Sequence, residues 1–120
     1  MANEKTTSIS FQVAKGGVTV RDSVSLSETL SGTDFIGRPV TVTTSWTAIP
    51  LGDLASFDLL YARNTDATNY IQIATANDGT HVFAKLTAGR ACFLPVDSGA
   101  TLYWKANSAS VVCNLVATEP

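Results

Sequence analysis

The second half of the chain is cut into short apolar segments by regularly spaced turn signals. The segments are 59–63, 70–74, 82–86, 91–96, 102–106 and 111–116. Short strands at even spacing argue for an all-β sandwich or barrel. No stretch carries the i, i+3, i+4, i+7 apolar stripe of a helix, residues 51–60 being the weakest case for that denial. The connections have their own chemistry. Asn64-Thr65-Asp66-Ala67-Thr68-Asn69 is rich in residues that bond their own backbone two positions on. Asn77-Asp78-Gly79-Thr80 predicts a type I′ hairpin. Residues 87–90, 97–100 and 107–109 read as further turns.

The first half alternates as well. Ile9, Phe11 and Val13 share one face of the segment 8–13 and are expected to face a core. Lys15-Gly16-Gly17 is a turn signal, since glycine takes a positive φ without steric cost. Val18, Val20, Val24 and Leu26 continue the period of two, and Asp22 breaks its apolar parity, which predicts a bulge or bend there. Residues 27–38 read as a surface loop held down by Phe35 and Ile36, bracketed by Ser31-Gly32-Thr33-Asp34 and Gly37-Arg38-Pro39. Pro39 is placed at the opening of a strand in which Val40, Val42, Thr44 and Trp46 share a face. Residues 1–7 are polar and are expected to form a flexible arm. The reading is thus a single domain over 8–120, a jelly-roll-like antiparallel β-sandwich of about eight short strands, with eight or nine strands counted in all.

Composition bounds function. The 120 residues are 45% hydrophobic and only 15% charged, well below the usual quarter of a soluble domain. A surface so poor in charge is compatible with partial coverage by a partner. The net charge is −2 and the basic residues are scattered, which argues against nucleic acid as a partner. No apolar run is long enough for a membrane helix, so no membrane partner is expected. The segment 1–7 lacks the apolar core of a signal peptide, so folding in a cytoplasm is expected.

His81 is the only histidine and follows a turn without a nucleophile or orienting partner, which favours a solvated turn residue over a general base. The carboxylates Asp53, Asp66, Asp78 and Asp97 lie in turn contexts where Asp serves the backbone, and Asp58 stands apart. Asp78 with Asn77 supplies too few oxygens for calcium. Cys92 and Cys113 sit inside apolar strand patterns and are expected to be buried thiols, with a disulfide as the alternative. They do not make a zinc site. No catalytic residue, metal or cofactor is expected, and the chain is read as no enzyme. Among the aromatics, Trp104 shares parity with Leu102 and Ala106 and is assigned inward, which turns Tyr103 outward. Trp46 is assigned to the core. A sugar-stacking role for Tyr103 or Tyr70 is the less common reading.

The segment 60–73, Leu-Tyr-Ala-Arg-Asn-Thr-Asp-Ala-Thr-Asn-Tyr-Ile-Gln-Ile, resembles small structural proteins of tailed bacteriophages, in which a stretch of the form N-x-D-x-T-N-Y-V-x-I is followed by L-x-x-G-x-x-x-x-x-P. Here the second part is Leu86-Thr87-Ala88-Gly89-Arg90-Ala91-Cys92-Phe93-Leu94-Pro95. The ending 101–106 followed by 111–116 is also similar. The resemblance covers the second half. The first half shares only its loose β pattern and Ile49-Pro50-Leu51-Gly52-Asp53. The resemblance implies a virion protein on the capsid surface, of the decoration (cement) type. It implies a homo-oligomer, with a trimer expected, partnered by the major capsid protein. A tail or fibre component touching host carbohydrate is the alternative.

Overall fold

The computed structural model describes residues 4–30, 35–52, 54, 57–97 and 100–119. Ten strands account for all the regular structure among them. They are β1 (Glu4–Lys15), β2 (Val18–Thr29), β3 (Phe35–Val42), β4 (Thr47–Ala48), β5 (Leu59–Asn64), β6 (Ile71–Ala74), β7 (Val82–Leu86), β8 (Ala91–Pro95), β9 (Tyr103–Ala106) and β10 (Val111–Thr118). Every pairing is antiparallel. The chain divides into two compact units, residues 1–31 and 32–120.

The second unit is a jelly roll. Its eight strands form two four-stranded sheets, ordered β3-β10-β5-β8 and β4-β9-β6-β7. Except for the β6–β7 hairpin, successive strands pass from one sheet to the other, so most neighbours in each sheet are distant in sequence. Both sheets feed one core. Val42, Leu60, Ala62, Val111, Cys113, Leu115 and Ala117 come from the first, and Ile71, Ile73, Leu86, Trp104 and Ala106 from the second. Strand β10 shows why these residues form a sandwich: Val111, Cys113, Leu115 and Ala117 are fully buried, while Val112, Asn114 and Val116 face away. Period-two alternation places one side of each strand inward. Trp104, 1% exposed, is the largest fully buried side chain, as expected from its parity.

Asn64, wholly buried at the end of β5, ties the unit together. Its amide donates to the carbonyls of Asn69 (2.8 Å) and Leu86 (2.9 Å), and its Oδ1 accepts from the amide of Asp66 (2.8 Å). All its bonds end on backbone, so one side chain joins β5, the 65–69 loop and the end of β7. A buried polar group fully satisfied in this way specifies its surroundings.

Four sequence expectations are corrected in this unit. Phe35 and Ile36 belong to strand β3 rather than to a loop, pairing with Thr118 and Ala117. Pro39 therefore stands inside β3, opposite Asn114. This is tolerated because β3 is the edge of its sheet, where a missing N–H breaks no ladder bond on the open side. The alternation through Trp46 also stops at Val42. Residues 43–45 bend, with Thr43 Oγ1 donating to the Ser45 carbonyl at 3.3 Å, as the chain leaves one sheet for the other. Trp46 is half-buried on the surface instead of in the core. The Asp78-Gly79 turn is not type I′, which needs positive φ at both central residues. Gly79 has φ 74° and no described non-glycine residue has a positive φ. Asp78 instead accepts from the amide (3.0 Å) and hydroxyl (2.7 Å) of Thr80.

The first unit is a single long hairpin. β1 and β2, 12 residues each, pair without a register break from Glu4↔Thr29 to Lys15↔Val18. Gly16 (φ 60°) and Gly17 (φ 81°) close it as the two-residue turn with both φ positive that matches strand twist. Pairing therefore begins at Glu4, not at Ser8. Residues 4–7 are strand rather than arm, because Lys5, Thr6 and Thr7 gain backbone partners in Glu28, Ser27 and Leu26 whatever their side-chain polarity. Residues 1–3 lie outside the described residues, as do those of the expected 31–34 turn. The hairpin forms a compact unit of its own, residues 1–31. No bulge forms at Asp22, which pairs directly with Phe11.

Candidate functional site

Directly opposed residues of an antiparallel pair project to the same side. On one side of the hairpin the rungs are Thr7/Leu26, Ile9/Val24, Phe11/Asp22 and Val13/Val20, with Lys5/Glu28 at the base and Lys15/Val18 at the turn. The other side carries Glu4/Thr29, Thr6/Ser27, Ser8/Ser25, Ser10/Ser23, Gln12/Arg21 and Ala14/Thr19. The ribbon is thus amphipathic across its whole length. Its apolar side is exposed, contrary to the expectation that Ile9, Phe11 and Val13 face a core. Exposure rises from 37% at Ile9 to 67% at Phe11 and 66% at Val20. At the base, the Lys5 ammonium lies 4.0 Å from the Glu28 carboxylate. A two-stranded hairpin is marginal in water when its apolar face has nothing to pack on. This face is the strongest interaction surface among the described residues.

A second surface lies on the outer side of the β4-β9-β6-β7 sheet. Gln72 on β6 pairs with Lys85 on β7 and Lys105 on β9, so the three stand in one row. The Lys85 ammonium lies 4.2 Å from the Tyr70 ring centroid, and that of Lys105 lies 5.7 Å from the Trp46 ring. These distances favour cation–π attraction. Trp46 also rests on the 75–81 turn, where a side-chain carbon at Gly79 would stand 3.1 Å from its Nε1. Tyr103 is half-buried, outward by its parity with Trp104.

The residues weighed for catalysis do not converge. His81 is exposed, its Nδ1 2.8 Å from Thr80 Oγ1 and 3.6 Å from Asp78. The Thr80 amide and hydroxyl, followed by His81, hold the Asp78 carboxyl below the usual carboxylate range. Asp66 accepts from the amides of Asn69 (2.6 Å) and Thr68 (3.0 Å), and these bonds likewise lower its carboxyl. Both acids serve their own turns, as the sequence context implies. Asp58 joins the rim of the first sheet, its backbone bonded to Thr118 and Val96. The Asp97 carbonyl accepts from the Ala100 amide at 3.0 Å. Asp53 lies outside the described residues. Cys92 and Cys113 are free thiols, on β8 and β10 with β5 between them. Burial raises both, Cys113 to about 11, so neither is a ready nucleophile. Among the described residues no group of three or more His, Cys, Asp or Glu could hold a metal.

Sequence reasoning found both strands of the hairpin but not its role as an exposed face. The signal available was the contrast between its two sides, one apolar and one built from Ser, Thr, Gln and Arg. Comparison with family models, with curated proteins and with solved structures finds no match.

Proposed function

We propose that the chain is a non-enzymatic structural protein of a tailed-phage particle, a capsid decoration (cement) protein that bridges and stabilises neighbouring capsid subunits as a homo-oligomer. The observation that carries this reading is the β1–β2 hairpin, a compact unit of its own with one apolar face exposed. An exposed apolar face of this length is the mark of a surface meant for another protein. The phage-like segment 60–73 supports the particle assignment and lies in β5, the 65–69 loop and β6. The major capsid protein is the partner, with no nucleic acid or membrane involved.

The test is reconstitution. Purified protein is mixed with phage capsids stripped of their decoration, and bound protein is measured by co-sedimentation. Saturable binding that raises the temperature at which the shells break is the expected result. Absence of binding at saturating protein would sink the reading.

The row of Gln72, Lys85 and Lys105 flanked by Tyr70 and Trp46 favours a second reading, a tail or fibre component contacting host carbohydrate. It ranks lower because the lysines already stand over the two rings, where a sugar would have to stack. Retention on a glycan array that is lost on Trp46→Ala would promote it.

A further inference from the structure

From the backbone pattern of the β1–β2 hairpin we infer that the open edge of β1 is a docking site for an extended strand of a partner protein. That strand has apolar residues on one side, Ser or Thr on the other, and a carboxylate at each end to meet Lys5 and Lys15. The inference deepens the reading above by naming how the partner is held, and rests on it only for the partner's identity as the capsid protein.

Three observations support it. The first is where the free backbone groups lie. The two-residue turn makes Lys15 and Val18 exchange both backbone bonds, and bonded rungs then alternate along the unbroken register. The bonded rungs are those of the apolar side. The amides and carbonyls of Glu4, Thr6, Ser8, Ser10, Gln12 and Ala14 therefore point away from β2, and β1 has no second neighbour in its sheet. Every residue from Ser8 to Lys15 is exposed, so this edge is accessible. The second observation is that the edge is unguarded. Edge strands are normally blunted by proline, charge, bulges or shortness. Among the described residues, β3 carries Gly37 and Pro39, and β4 has only 2 residues. β7 pairs across a register shift and carries Lys85, and β8 ends on Pro95. β2 sets Arg21 and Asp22 in mid-strand. From Thr6 to Ala14, β1 has no proline, glycine or charge. The third is area and charge. Rungs of about 3.4 Å across two strands about 5 Å apart give the ribbon a face of about 400 Å². That is about half of what one partner contributes to a standard interface, so the face alone does not hold a partner. A strand on the open edge adds about ten backbone bonds, the number of a typical interface. Lys15 stands opposite Val18 rather than an acid, and Lys5 has only the 4.0 Å contact with Glu28, so both accept a further carboxylate. A second copy does not fit this edge: β1 laid along β1 sets lysine against lysine at both ends, in either direction.

The test is amide hydrogen exchange on the full chain, alone and with a synthetic strand of alternating Val and Thr, as long as Lys5 to Lys15 and ending in Glu on both sides. The outward amides of Thr6, Ser8, Ser10 and Gln12 should exchange freely in the protein alone and be slowed about tenfold or more by the peptide. Those of Ile9, Phe11 and Val13, bonded to β2, should be slow in both samples. Ser10→Pro removes one outward amide and no bond to β2. It should weaken peptide binding about tenfold or more while the Ile9 and Phe11 amides stay slow. Ser23→Pro, on the guarded edge of β2, should bind as the wild type does. Lys15→Glu should also weaken binding, and a peptide with one Glu exchanged for Lys should recover it. Should Ser10→Pro loosen the hairpin itself, this charge swap decides alone. Outward β1 amides already slow in the free protein, no slowing by the peptide, or a folded Ser10→Pro variant that binds as tightly as the wild type would each overturn the inference. If the peptide adds to β1 but the protein ignores stripped capsids, the capsid reading alone falls. A protein that decorates capsids while its outward β1 amides keep exchanging freely sinks the inference and leaves that reading standing.

Discussion

The hairpin and the jelly roll are written in the same pattern and meet opposite fates. Strand β10 and strand β1 both alternate apolar with polar residues, yet Val111, Cys113 and Leu115 are fully buried and Ile9, Phe11 and Val13 are exposed. The difference lies in what each strand can reach. β10 sits between β3 and β5, and its inner face belongs to the core to which the opposite sheet contributes Trp104 and Ile73. β1 has one neighbour, β2, and that neighbour adds more apolar surface to the same side. Alternation states that a strand has two unlike faces. Whether the apolar one is buried depends on a second layer, which the local pattern does not contain.

The contrast can be broken most forcefully at Trp104. Trp104→Ala should destabilise the jelly roll by about 3–5 kcal/mol, the usual loss for a large buried aromatic. A loss below about 1 kcal/mol by denaturant titration would mean that this core is as loosely supported as the hairpin. Asn64→Ala comes next. It leaves the carbonyls of Leu86 and Asn69 and the amide of Asp66 without their partner. A cost of about 1–3 kcal/mol is expected, with faster hydrogen exchange confined to the 64–69 loop and the end of β7.

A smaller and more selective effect is alkaline. Burial raises the Cys113 thiol from 9.0 to about 11, and Cys92 in the same direction. The folded state therefore favours the protonated thiols. Their contribution is fully present below about pH 9 and is lost as pH rises through about 11. The double variant Cys92→Ala/Cys113→Val should lose less stability over that interval than the wild type. An identical pH profile for the two proteins would refute the assignment. The hairpin has no cysteine and should show no such component. The smallest effect is expected at Phe11. Phe11→Ala should shift the melting of the jelly roll by less than about 0.5 kcal/mol, as for an exposed site. A large shift would mean that the two units depend on each other for stability.

Most of the jelly roll was legible. The segments from 59 to 116 became β5 to β10 within a residue or two, because each lies between turn clusters and alternates against a layer that exists. What failed did so for physical reasons. Trp46 kept parity with Val42 in the sequence, but parity carries no information across the bend at 43–45. Phe35 and Ile36 were hidden by Gly37 and Pro39, which break the strand pattern at an edge where a strand can tolerate them. The polar residues 4–7 carry no hydrophobic signal of a strand, and their backbone partners on β2, which supply the ladder, leave no mark in the local sequence. The candidate face was written in full in residues 5–28, and only the absence of a covering layer separated it from a core.

The Gly16-Gly17 turn also sets a clock. It joins strands that are adjacent in sequence, so the ribbon can close within about 1–10 μs of its residues becoming free, as hairpins do. The jelly roll must first bring β3 to β10 and β4 to β9 across much of the chain, and folds dominated by such distant pairings take milliseconds to seconds. Throughout that interval the ribbon opens and closes on its own, its sticky side available to any neighbour. Crowding of nascent chains thus becomes the hazard of this fold, and keeping such chains apart until the slower unit is complete would set the yield of correctly folded protein.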